Sequence, residues 1–174
     1  MAVLTIRTYP DPVLKQACRP VTSVNDEVRG ILRDMAETMY LNRGVGLAAP
    51  QVGVGLRLIV VDAGPERDGS ELLKLVNPRI TEREGGHRTE EGCLSLPGLM
   101  VELDRFDTVT VEAMDPSGNL QRIRAEGLLS VALQHEIDHL DGVLLVDRLS
   151  GLRRNLYLRK RLREGSEPAG LQTG

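Results

Sequence analysis

Glu126-Gly-Leu-Leu-Ser-Val-Ala-Leu-Gln-His-Glu-Ile-Asp-His-Leu140 is the stretch from which the rest of the chain is read. Leu128, Leu129, Val131, Ala132, Leu133 and Ile137 make it an apolar helix ending before Gly142. Residues four apart share a helix face, so His135 and His139 can reach one metal ion in the His-Glu-x-x-His pattern. Glu136 lies about 100° round the helix and cannot join them as an equivalent ligand. It can reach a water at the metal's edge, which suits a general base. The simpler reading is a charged helix face with two ordinary histidines. Against it, the chain has 3 His and two of them are here. A largely buried helix also needs partners for its His and Glu.

Two histidines leave a catalytic metal site one ligand short. No His follows His139, but Glu91-Gly-Cys-Leu-Ser-Leu-Pro-Gly98 presents the thiol of Cys93 among turn residues. Alone, Cys93 is as well read as a small buried hydrophobe. Paired with the helix it becomes the third ligand, leaving one position for water. A thiolate makes such a site softer than three histidines would. Cys18 is read as packing and His87 as a surface loop residue. A third block, Gly44-Val-Gly-Leu-Ala-Ala-Pro-Gln51, has Gly-x-Gly-x-x-Ala spacing. A helix rather than a strand precedes it, and Pro50 stops a regular helix, so dinucleotide binding is a poor reading. Close backbone approach to a ligand, with the Gln51 amide on offer, is a better one.

Around these blocks, Thr8–Leu14 reads as a turn in which Pro12 opens a short helix. Asn25–Asn42 has helical spacing of Val28, Ile31, Leu32, Met35 and Met39, with Asn25 or Ser23 as cap. Leu56–Asp62 and Leu72–Val76 read as strands, and Thr108–Met114 with Asn119–Ala125 as a hairpin. Leu149–Arg163 reads as a last helix. The class is α+β, one domain over 1–165, with 166–174 a frayed tail. In 174 residues, 22 Lys and Arg against 25 Asp and Glu give a net charge of −3, which argues against wholesale nucleic-acid binding. No apolar run reaches the roughly 18 residues of a membrane span, and the first residues do not read as a signal peptide. One Phe, three Tyr and no Trp leave the core to aliphatic side chains. Two Cys are too few for a secreted disulfide scaffold, so a cytoplasmic location is expected.

The blocks 44–51, 91–95 and 134–139, in this order and spacing, resemble the three signature motifs of peptide deformylase; Tyr9-Pro-Asp-Pro12 is similar too. The resemblance spans roughly residues 4–160. It implies antiparallel sheets around a central helix carrying the His-Glu-x-x-His motif, with N- and C-terminal helices. It implies removal of the formyl group from the N-terminal formylmethionine of newly made polypeptides, with release of formate. The implied ligands are Cys93, His135 and His139, holding one divalent ion. Fe(II) is the family's usual metal; Zn(II), Ni(II) and Co(II) forms also occur. Water on the metal attacks the formyl carbon, with Glu136 as base and then acid. The Gln51 amide and the Leu94 backbone N–H are the implied oxyanion donors.

For the methionine side chain, Leu128, Val131 and Ala132 precede His135 at helical spacing and, with Val45, Gly46 and Leu94, offer an apolar pocket. Plain core packing is the competing reading. Some family members carry an Arg near the substrate backbone where this chain has Met100. Gly98 resembles members with Pro-Gly there. Two rivals remain: another metal amidase or protease of this motif, and a structural metal or ribosome-docking module. The upstream Cys93 opposes the first, and intact Glu136 and Gln51 oppose the second. The last helix carries Arg153, Arg154, Arg159, Lys160, Arg161 and Arg163 without an acid over 149–163. It offers a docking face for ribosomal RNA. Alternatively its charges only solvate it above a buried stripe of Leu149, Leu152 and Leu156. A monomer is expected.

Overall fold

A computed structural model describes residues 2–165, so the expectation for 166–174 lies outside the described residues. Helix α1 spans Asp26–Leu41, and the Asn25 side chain accepts from the Val28 N–H as its cap. Strands β1 (Gly46–Ala48), β2 (Leu58–Val61), β3 (Leu73–Glu84), β4 (His87–Cys93), β5 (Leu96–Arg105), β6 (Thr108–Met114) and β7 (Leu120–Glu126) follow. Helices α2 (Gly127–Leu140) and α3 (Gly151–Glu164) end the described chain. Short 3₁₀ turns form at Pro12–Lys15, Ala49–Val52 and Leu145–Arg148.

One antiparallel sheet has the order β1-β2-β3-β6-β7, and β4 and β5 form a separate antiparallel hairpin. Alternation explains the layers. In β2 every residue is buried, because Ile59 and Val61 join Leu133, Ile137 and Leu140 of α2, while Leu58 and Val60 join Leu32, Met35 and Met39 of α1. The sheet's short-strand end is thus sandwiched between two helices. A third cluster puts Leu96, Val101 and Leu103 of β5 against Leu144–Val146 and Tyr157. The core is aliphatic, and the one Phe, Phe106, is 41% exposed.

Four details differ from expectation. The strand read as ending at Val76 runs on to Glu84, because Asn77 takes a left-handed φ of 52° and its side chain bonds both the N–H and C=O of Val21. Asn-Pro, a turn signal in sequence, therefore makes a bulge, after which Arg79 pairs Glu112. The hairpin β4–β5 was not foreseen, since its residues are mostly polar on one face. His87 accordingly opens a strand rather than lying in a loop, with Nδ1 2.5 Å from Asp107. Finally, the leucine stripe of α3 is corrected. Leu149 is buried just ahead of the helix, but Leu152 and Leu156 are 71% and 53% exposed. Tyr157 docks the helix instead, stacking on Tyr9 and donating to the Pro97 carbonyl at 2.9 Å, while Arg161 donates to the Tyr9 carbonyl.

Gly142 shows how closely the N-terminal segment packs on the end of α2. It has φ 74°, and a Cβ there would lie 2.6 Å from the Lys15 carbonyl oxygen. Gly142→Ala should therefore cost at least about 2 kcal/mol. A lower urea midpoint with an unchanged slope would show it.

Candidate metal centre

Helix α2 supplies two imidazoles. The His135 and His139 rings lie with centroids 5.1 Å apart, as spacing along one helix face requires. Strand β4 supplies the thiol at its end, where Cys93 Sγ is 3.3 Å from His139 Nε2. One ligand atom from each of Cys93, His135 and His139 falls within 4.8 Å of the others. His135 Nδ1 is 3.0 Å from Glu91 Oε1, which leaves Nε2 to face the cluster. The donor set therefore fits a cation of the soft-to-borderline class.

The electrostatics agree with that fit. Burial pushes His139 well below the usual imidazole range, keeping it neutral and able to ligate. Burial pushes His135 the same way, but its contacts with Cys93 and Glu91 outweigh this and raise it. A cation at the cluster would displace that proton, so metal binding there would release protons.

Glu136 and Gln51 complete the site. Glu136 is 5% exposed, its Oε2 has no hydrogen-bond partner, and burial pushes its carboxyl up to about 7. Gly46 of β1 lies against it. A Cβ at that position would be 2.8 Å from both Cγ and Oε1 of Glu136, so the close approach read from the glycines is to this carboxylate. Gln51 sits in the 3₁₀ turn after β1. The Ala48 N–H can only donate, and it donates to Gln51 Oε1 at 2.9 Å. The amide NH₂ therefore faces Cys93 Sγ at 3.5 Å and Ser95 Oγ at 3.1 Å. Leu94 stands in the turn between β4 and β5, half-buried.

Among the residues expected to line an apolar pocket, Val45 and Val131 are half-buried and Leu128 is 52% exposed. Ala132 is buried in the cluster between α2 and the sheet. Met100 lies over the second block, where a Cβ on Gly92 would be 2.9 Å from its sulfur.

Several residues that hold the site were not singled out from sequence. Arg105, 6% exposed, donates twice to Glu91 at 2.9 Å and once to Asp138 at 2.7 Å. Burial raises Glu91, but hydrogen bonds from His135, Arg105 and Thr89 outweigh it and hold the carboxyl down to about 2. Gln134 exchanges hydrogen bonds with the Phe106 backbone, clipping α2 to the end of β5. One signal was available for Glu91: two residues before Cys93 on a strand, it shares that residue's face. Nothing in the sequence marked Arg105.

A family model described as polypeptide deformylase matches residues 3–155. The chain belongs to the peptide deformylase family of enzymes. It is 50% identical over 160 residues to the peptide deformylase of Thermodesulfovibrio yellowstonii, covering 92% of this chain and 97% of that protein. It is 45% identical to that of Aquifex aeolicus, covering 91% and 94%. The crystal structure of a peptide deformylase from Legionella pneumophila superposes with a TM-score of 0.88 at 43% identity, over 97% of this chain and all of that one. A peptide deformylase from Ehrlichia chaffeensis in complex with actinonin also gives 0.88, at 37% identity, over 97% and 100%. Membership of the deformylase family thus rests on the whole described fold as well as on three short blocks.

Glu91→Ala should loosen the site in two ways. It frees the His135 ring, which should weaken metal affinity by about 10–100-fold in chelator competition. It also removes two of the three hydrogen bonds of the buried Arg105, leaving Asp138 as its carboxylate partner, at a cost of about 2 kcal/mol or more in denaturant unfolding.

Proposed function

We propose that this deformylase removes the formyl group from the N-terminal formylmethionine of newly made polypeptides, releasing formate and a free amine. The observation that carries this reading is the convergence of Cys93, His135 and His139 beside a buried carboxylate and an oriented amide. Cys93, His135 and His139 would hold one divalent ion, with Fe(II) as the native metal and Zn(II), Ni(II) or Co(II) as substitutes. Such an ion, when bound, acidifies water and polarises the formyl oxygen.

The chain's own groups do the rest. Glu136 takes a proton from the attacking water and passes it to the leaving nitrogen, a role that its buried, unpartnered Oε2 supports. The Gln51 Nε2 and the Leu94 backbone N–H donate to the oxygen as negative charge develops there. The methionine side chain lies against Leu128, Val131 and Ala132 of α2, with Val45, Gly46 and Leu94 opposite. In this reading α2 is the central helix of one catalytic domain over 1–165. In the same reading the protein works as a monomer in the cytoplasm.

The test is formate release from a formyl-Met peptide by protein purified without oxygen and loaded with Fe(II). Glu136→Ala should lose activity while keeping stoichiometric metal. Gln51→Leu should lower kcat by about 10²–10³. Metal-loaded protein that leaves formyl-Met peptides intact but cleaves another acyl-amide would overturn the substrate and keep the site.

We also propose that α3 docks on ribosomal RNA. Leu152, Leu156 and Leu162 are 71%, 53% and 60% exposed, and the helix is basic until Glu164, which pairs with Arg161. The arginines suit a phosphate backbone, and the exposed leucines beside them suit an apolar protein surface next to it. Binding to ribosomes in pelleting assays should fall steeply between 50 and about 200 mM salt. Binding that ignores salt, or none, would overturn this role.

A further inference from the structure

Beside the proposed catalytic centre, a groove of about 510 Å³ opens between the end of α1 and the loop before β3, lined by Tyr40, Arg43, Gly44, Arg67 and Asp68. Arg43, Arg67 and Asn77 are the non-glycine residues with positive φ among the described residues. Asn77 is explained by its bonds to Val21. The two arginines remain, and both line this groove.

Arg43 occupies a position that glycine fills at least cost. The Arg43 N–H donates to Tyr40 and the Gly44 N–H to Met39, which closes α1 in a Schellman arrangement with Arg43 in the left-handed seat at φ 56°. A side chain there is strained relative to glycine. Arg67, at φ 47°, is held by a second device. Asp62, 1% exposed, accepts from the N–H groups of Gly64 and Gly69 on either side of Arg67, and from the Tyr40 hydroxyl at 2.6 Å. One buried carboxylate thus ties the Arg67 loop to the helix that ends at Arg43. Asp68, the acid of the lining, accepts from the Ser70 N–H in its own turn.

The groove adjoins the proposed catalytic centre through Gly44. A Cβ on Gly44 would lie 3.3 Å from Leu94, and Gly46 lies against Glu136. Strand β1 is the outer strand of its sheet. Arg43 stands three positions before Gly46, in the turn that leads from α1 into β1. A peptide held at Glu136 and running back along β1 would bring its second or third residue towards Arg43.

Resting on the deformylase reading above, we propose that this groove is a subsite for an acidic side chain at the second or third residue of the formylated peptide. Arg43 and Arg67 are its counter-charges.

The test uses C-terminally amidated formyl-Met tripeptides with Glu, Gln or Lys at the second or third position. Formate release is measured with metal-loaded wild type, Arg43→Gly, Arg67→Gly and the double variant. In parallel, calorimetry gives Kd for the unformylated Met peptides. Wild type should favour Glu over Lys by about three- to tenfold in kcat/KM and in Kd. Raised salt should shrink the ratio. The double variant should bring it near one, and Arg43→Gly should melt no lower than wild type, because glycine suits that backbone. Equal handling of Glu, Gln and Lys peptides by wild type, or a preference that survives in the double variant, would overturn the subsite. Arginine-dependent binding of Glu peptides without hydrolysis of any would keep the subsite and overturn the deformylase reading. Hydrolysis without preference would do the reverse.

Discussion

The buried guanidinium of Arg105 is the contact on which the arrangement depends. It comes from the end of β5, yet its hydrogen bonds reach Glu91 on β4 and Asp138 on α2. Glu91 in turn meets His135, so one cation and two carboxylates join the hairpin that carries Cys93 to the helix that carries both histidines. Such a network is costly to bury and more costly to break in half, since each lost partner leaves a charge without compensation. That asymmetry gives Cys93, His135 and His139, the candidate ligands, one relative position rather than many.

Around that junction the site is assembled from elements of different kinds. The helix brings two imidazoles to one face through its period alone. The strand end brings a thiol, and the 3₁₀ turn after β1 brings an amide whose direction is decided by a single backbone donor, Ala48 N–H. The glycine at 46 serves the carboxylate of Glu136, which needs a neighbour without a side chain. Each local choice would be unremarkable elsewhere. Together they bring an amide, a buried carboxylate, a thiol and two imidazoles into one small, largely buried cluster, where electrostatic effects are large.

The outer surface follows a different logic. Helix α3 is anchored by Tyr157 and Arg161 rather than by leucines, so its apolar row is left facing out among arginines. At the other end of α1, two arginines are held in left-handed backbone conformations around one groove. Both features spend stability on the surface without improving the core, which is the pattern expected where a surface has something to bind.

What the sequence determined by itself was local and periodic. The His-Glu-x-x-His spacing, the α1 stripe with its Asn25 cap, the 108–125 hairpin and the special backbone of 44–51 could all be read because each is decided within a few residues. The family resemblance then joined blocks that periodicity could not. Only the tertiary structure decided the rest. It carried β3 through Asn77-Pro78, where a distant backbone at Val21 rewards the bulge. It paired β4 with β5 despite their polar faces. It chose Tyr157 over the leucines of α3, and it brought Arg105 to Glu91 and Asp138. For Asn77, Tyr157 and the Asp138 contact of Arg105 the deciding partner lies tens of residues away, and for β4 and the Glu91 contact it lies on the neighbouring strand, so the energy that selects the conformation is absent from any one element read alone.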